Sequence, residues 1–350
     1  MPAIEAGIAA QQAEIEALLA TGEAPNFDNT VRALEQSGRL LGYVNTLFAN
    51  LNSAHTNDAM QALARELSPR LSAHYDNIML DGQLFARIKA VLGQRDDLDL
   101  NPEDLRLLEK HFKSFARNGA LLDEAGKEQL REINARLSLL SLEFSENILA
   151  ETNAYQLHVD DVKALSGLPN WLLDSATETA KATGKSGYIF SLHAPSVLPF
   201  LQHADNRALR QEIWEAFRMR GNNGNGHDNK AIIKEMTALR IKRAQLLGYR
   251  NHAAYVLEES MAGSVEGVET LLDQLLKPTL KAAQREADDL QAIIRESGQD
   301  FDLAPYDWRY YAAKLRGARF ELNEEELKPY LSLDGVREGV FMVCKKLYGL

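Results

Sequence analysis

The sequence predicts an all-α protein of long packed helices with at most a small two-stranded β element. Two observations carry that class. Apolar residues recur at steps of three and four in Leu130, Ile133, Leu137, Leu140, Phe144 and Ile148, and again in Leu272, Leu276, Leu280, Ala283, Ala287, Leu290 and Ile294. Such spacing lines one stripe of a long helix, so each of these helices is expected to pack on one face. Only two segments alternate as strands do: Tyr155, Leu157 and Val159 in AYQLHV, and Tyr188, Phe190 and Leu192 in GYIFSL. The stretch between them reads as helical, which leaves room for a minor ribbon and no larger sheet. No fixed-period repeat of the kind a solenoid needs is present.

The element boundaries follow from local chemistry. Asn101 is placed to cap a helix that has Pro102 at its first position and Asp104 in its first turn. Gly221 follows NRALRQEIWEAFRMR and Gly248 follows EMTALRIKRAQLL, each where a helix end wants a residue free to take positive φ. In RGNNGNGHDN, a connecting loop, Asp228 or Asn229 is the expected cap of the helix that follows. Pro278 marks a kink point in the second long stripe. Near the end, Asn323 with Glu326 forms an Asn version of the capping box, and Glu324 and Glu325 complement the helix dipole there.

Composition narrows the classes of function. With 350 residues, 45% of them hydrophobic and 25% charged, the chain can bury one large core or two ordinary ones. A formal net charge of -11 opposes the phosphate-neutralising surface that nucleic-acid binding requires, so nucleic acid is not an expected partner. The single cysteine, Cys344, excludes an internal disulfide framework and a cysteine-rich metal site. Its neighbours Phe341 and Val343 point to a buried small hydrophobe rather than a nucleophile. No run of eighteen apolar residues is present to span a bilayer. Glu5, Glu14 and Glu16 stand where a secretion signal would place an apolar block, and a cytoplasmic location is the expectation.

Motifs that could carry chemistry are few. Gly184, Lys185 and Ser186 spell the end of a phosphate-binding loop, but Thr179 stands where its first glycine belongs and a strand-like run follows instead of a helix. A helix-to-strand turn is the simpler assignment. The eight histidines, His55, His74, His111, His158, His193, His203, His227 and His252, include no pair at i and i+4 and no H-E-x-x-H, so the helical two-imidazole zinc site is absent from this sequence. No G-x-S-x-G elbow anchors a serine triad. No residue is assigned as catalytic, cofactor-binding or metal-binding. The cluster Tyr306, Trp308, Tyr310 and Tyr311 is the most unusual local feature. It is expected to be the start of a helix packing rings into a core, and its alternative is a tyrosine wall along a peptide groove.

At these residues the chain resembles the thimet-type zinc metallopeptidases. YDWRYYAAKLRGARFELNEEELKPYLSLDGVREGVFMVCKKLYGL is similar to the segment carrying that family's W-D-x-x-Y-Y pattern, with Tyr306 where many members have tryptophan. RIKRAQLLGYRNHAAYVLEESMA and LRQEIWEAFRMRG resemble two further family helices, and residues 27–91 are nearer the bacterial peptidyl-dipeptidase branch than oligopeptidase A. The resemblance implies that residues 1–350 form the N-terminal helical region, channel wall and scaffold of a peptidase that removes C-terminal dipeptides from short peptides. It also implies that the H-E-x-x-H helix and its zinc belong to a C-terminal catalytic region missing from this sequence, that this chain alone holds no zinc and is inactive, and that Met1 stands at an internal position of the family's chain. The rival expectation, from another class, is a free-standing helical binding module.

Overall fold

The computed structural model describes residues 1–320 and 326–349. The chain is essentially all-α, with one two-stranded antiparallel ribbon among the described residues. It divides into two compact units, one made of Met1–Ile148 and Gly224–Thr270 and the other of Leu149–Asn223 and Leu271–Leu350. Asn323, Glu324 and Glu325, expected at a helix start, lie outside the described residues.

In the first unit the helices carry their apolar faces inward. Ile15 and Leu18 of the helix Pro2–Ala20 meet Phe27, Val31, Leu84, Ile88, Leu108 and Phe115 in one core. Phe85 stacks on Phe112 and Phe115 at centroid distances of 5.4 and 6.3 Å. The first predicted stripe lies on the helix Glu124–Ala154, where Leu130, Ile133, Leu137 and Leu140 are buried while Phe144 and Ile148 are half-buried. The helix Pro102–Arg117 begins as expected: the Asn101 side chain accepts from the N–H groups of Glu103 and Asp104. After the glycine loop, Asp228 and not Asn229 serves the next helix, Lys230–Leu246. Asp228 accepts the Lys230 N–H, whereas the Asn229 side chain accepts from Asn147 and donates to the Phe144 carbonyl. Gly248 closes that helix at φ 84°, and the short helix His252–Leu257 follows, with Arg117 stacked over Tyr255 at 4.7 Å and Tyr249 at 5.4 Å.

The second unit holds the ribbon. Leu157–Val159 pairs with Tyr188–Phe190 in the register Leu157 to Phe190, so the strands are shorter than the alternating runs that predicted them. Their inner residues join Leu172, Val197, Phe200 and Ile213 in a core where Phe190 and Phe200 meet edge-on at 4.7 Å. The G-K-S motif sits between the helix Asn170–Ala182 and the second strand, the reverse of the strand-loop-helix order a phosphate loop needs. Lys185 donates to Gln156 at 2.8 Å. Gly187 is required here: its φ is 79°, and an added Cβ would lie 2.7 Å from the Val159 carbonyl oxygen and 2.8 Å from an Asp160 carboxylate oxygen. Gly187→Ala is therefore expected to cost about 1–3 kcal/mol in denaturant unfolding. Gly184→Ala, at φ 73° with nothing near, should cost less, and equal costs would show that the close approach does not matter.

Candidate functional site

The aromatic cluster is the start of a helix, and it closes over buried charge. Tyr310 and Tyr311 open the helix Trp308–Phe320, are buried, and meet at right angles with centroids 5.0 Å apart. They pack with Leu290 and Ile294, the C-terminal end of the second predicted stripe. Core packing is thus the role of these two rings. Trp308 differs, standing about a third exposed on an open cleft with Gln284, Asp288 and Pro305.

Between Tyr306 and Trp308 lies Asp307, which has no exposed surface. Its carboxylate accepts from Arg207 Nη2 at 2.9 Å, from Arg210 Nη2 at 2.8 Å and from the Ala304 N–H at 3.1 Å. Arg210 is 1% exposed. It also donates to the carbonyls of Ala204 and Asp205 at 2.8 and 3.1 Å, and its guanidinium lies over the Tyr310 ring at 4.1 Å. Arg207 lies over Phe301 at 4.0 Å and Tyr306 at 4.8 Å, and its hydrogen bond to Asp307 raises its already high pKa. A second carboxylate completes the cluster: Asp205 accepts from Tyr310 Oη and from Ser166 Oγ, each at 2.7 Å. Burial alone would raise the Asp205 carboxyl, but those two hydrogen bonds, with Lys314 and Arg210 near, hold it below its ordinary value. Burial, and then the bond to Asp205, pushes the Tyr310 phenol up to about 12.

Two arginines thus face two aspartates, with Lys314 over the Tyr310 ring at 4.6 Å. The two arginines sit at i and i+3 on the helix Arg207–Arg218, so one helical face supplies both. Arg210 and Asp307 are the buried pair, and buried ions are costly unless their partners are in place, so this pair permits a narrow range of positions for the helix Trp308–Phe320. Sequence reasoning found the rings but missed the charges. Arg207 and Arg210 spaced by three, with an aspartate embedded in an aromatic run, were the only signal.

Beyond this anchor, two helices leave apolar faces uncovered. On Val265–Glu296, which runs unbroken through Pro278, Leu290 and Ile294 are buried, yet Leu271, Leu272, Leu275, Leu276 and Leu280 are all more than half exposed. The expectation that this stripe packs along its length holds only for its C-terminal end. The helix Leu333–Tyr348 is capped at both ends, by the Ser332 side chain accepting from Gly335 and by Gly349 at φ 73°, and none of its residues is buried. Val336, Val340, Val343 and Leu347 follow one another at steps of four, three and four and are all exposed. Cys344 is accordingly half-buried and not the buried hydrophobe the sequence suggests, because no described element covers its helix.

The histidines are not brought together. His74 bonds Gln11, His111 bonds Glu35, His158 bonds the Ser186 carbonyl, His227 bonds Asn147, and His252 lies by the Tyr255 ring. Among the described residues no group of three or more His, Cys, Asp or Glu is arranged to hold a metal ion, so their donors do not fit a zinc site. No helix among them is long and apolar enough to cross a membrane.

Comparison with known proteins agrees with the resemblance in the sequence. Residues 200–350, which contain Arg207, Arg210, Asp307 and both uncovered faces, match the family described as Peptidase family M3. The whole chain is 33% identical over 351 residues to a dipeptidyl carboxypeptidase of Escherichia coli and covers 52% of it. It is 31% identical over 358 residues to a chloroplastic and mitochondrial organellar oligopeptidase A of Arabidopsis thaliana, covering 45% of it. Oligopeptidase A of Escherichia coli matches the whole chain at 29% identity, with 52% of that protein covered. The chain spans about half the length of the curated relatives it matches. With the family match over residues 200–350 and similarity to these peptidases running through the rest, the chain resembles peptidase family M3, the thimet-type metallopeptidases.

Proposed function

We propose that this chain is the N-terminal portion of a cytoplasmic zinc peptidyl-dipeptidase, supplying channel wall and scaffold for an enzyme that removes C-terminal dipeptides from short peptides. The zinc and the catalytic residues belong to the other half. The observation that carries the proposal is the helix Leu333–Tyr348: it is built and capped as a packing helix, has an apolar stripe, and buries no residue. A lone helix of its length is marginal in water, so its stripe calls for a cover that the described residues do not supply. The half-length match to peptidases supports assigning that cover to the remaining half of such an enzyme.

The test is expression of the gene continued beyond residue 350, beside residues 1–350 alone. The longer protein is expected to hold one zinc after dialysis and to release dipeptides from an N-terminally blocked peptide, with loss of that activity on adding a chelator. The chain alone is expected to do neither. Stoichiometric zinc and chelator-sensitive cleavage by the chain alone would refute the division of labour, and an inactive longer protein would refute the dipeptidase assignment.

A further inference from the structure

The first unit contains a pocket of about 320 Å³ whose lining includes Asp76, Asn118, Asn134, Ser138, Arg240 and Arg243. Most of its polar side chains have already spent their donors within the protein. Asn118 Nδ2 donates to the Ser114 carbonyl, Ser138 Oγ to the Ala135 carbonyl, and Asn134 Nδ2 to Asp76, all at 2.8 Å. The guanidinium groups are the exception. Arg240 has no ion-pair partner among the described residues. Arg243 reaches the Asn134 side-chain amide oxygen at 3.4 Å and lies 5.6 Å from the Tyr255 ring, and its Nε is buried without a hydrogen-bond partner among the described residues.

The charge balance of the pocket is positive in a protein whose total is -11. Asp76 is the single carboxylate in the lining, and burial pushes it above the usual carboxylate range, against the pull of Asn134, Arg131 and Arg243. The field is felt at His252 as well, which burial and then Arg240 and Arg243 hold below its ordinary value. Arg240 and Arg243 stand at i and i+3 on the helix Lys230–Leu246, so both forks come from one face.

We infer that this pocket binds a small oxyanion, a carboxylate or inorganic phosphate, between Arg240 and Arg243. Planar guanidinium forks match such anions, and an anion here would answer two cations that form no ion pair among the described residues.

Residues 1–350 would be titrated with acetate, glutarate and inorganic phosphate by calorimetry, at ionic strength held constant with sodium chloride. A saturable one-to-one isotherm is expected for a carboxylate or for phosphate, and the tighter of the two assigns the source of the ligand. Arg240→Gln and Arg243→Gln should each weaken binding about tenfold or more, as loss of a charge-assisted hydrogen bond does. Arg136→Gln, whose guanidinium is held by Glu235 away from the pocket lining, should leave binding unchanged. Arg240 is exposed, so its variant keeps the fold, which circular dichroism would verify. No saturable heat with any of the three anions, or an isotherm unchanged in the double arginine variant, would overturn the site.

Discussion

Asp307→Ala is expected to be the most damaging single substitution in the second unit, costing about 3–5 kcal/mol in denaturant unfolding. The carboxylate removed is fully buried and is the shared acceptor of two guanidinium groups, of which Arg210 is 1% exposed. Truncation leaves Arg210 charged, buried and short of its anion, and the Ala304 N–H loses its acceptor as well. The loss is thus mainly the penalty for an uncompensated charge. Asp307→Asn should cost less, because an amide oxygen still accepts one hydrogen bond. A double variant, Asp307→Leu with Arg210→Met, should recover a large part of the loss, since apolar residues of similar volume often replace buried ion pairs at little cost. Equal stability of Asp307→Ala and the wild type would show that the cluster is not formed in solution. Failure of the double variant to recover would mean that the cluster fixes the position of the helix Trp308–Phe320 in a way packing alone does not.

Replacing Leu272, Leu276 and Leu280 together by Gln should affect the isolated chain and the continued protein in opposite ways. In residues 1–350 alone the three side chains are 58%, 54% and 60% exposed, so their loss removes few contacts there. The isolated triple variant should bind less hydrophobic dye and self-associate less than its parent, with little change in its unfolding midpoint. In the continued protein, where the proposed second half covers this face, the same change should destabilise by about 3 kcal/mol or more, because roughly half of three leucine side chains would no longer be buried. Unfolding curves of the two lengths, each with and without the triple substitution, decide the matter. An unchanged midpoint in the longer protein would mean that something other than the second half covers the face, or that nothing does.

Local signals in the sequence determined the helices and their ends. Asn101 caps its helix through two backbone N–H groups, Gly248 closes Lys230–Leu246 with positive φ, and the period of 3.6 residues runs through both long stripes, because each depends on residues within one turn of the chain. The small ribbon was legible for the same reason, although its length was not, since pairing is settled by what both strands can reach. The resemblance to a peptidase family was also legible, because it rests on residue patterns spread along the chain. Tertiary structure alone decided which part of each stripe is covered: Leu290 and Ile294 meet Tyr310 and Tyr311, while Leu272, Leu276 and Leu280 stay more than half exposed, and periodicity is identical for both. It alone brought Arg207 and Arg210 to Asp307, some hundred residues away, and left Arg240 and Arg243 without an ion pair among the described residues. A charged side chain reads the same in sequence whether paired, solvated or waiting for a ligand, and the difference lies in distances that only the folded chain sets.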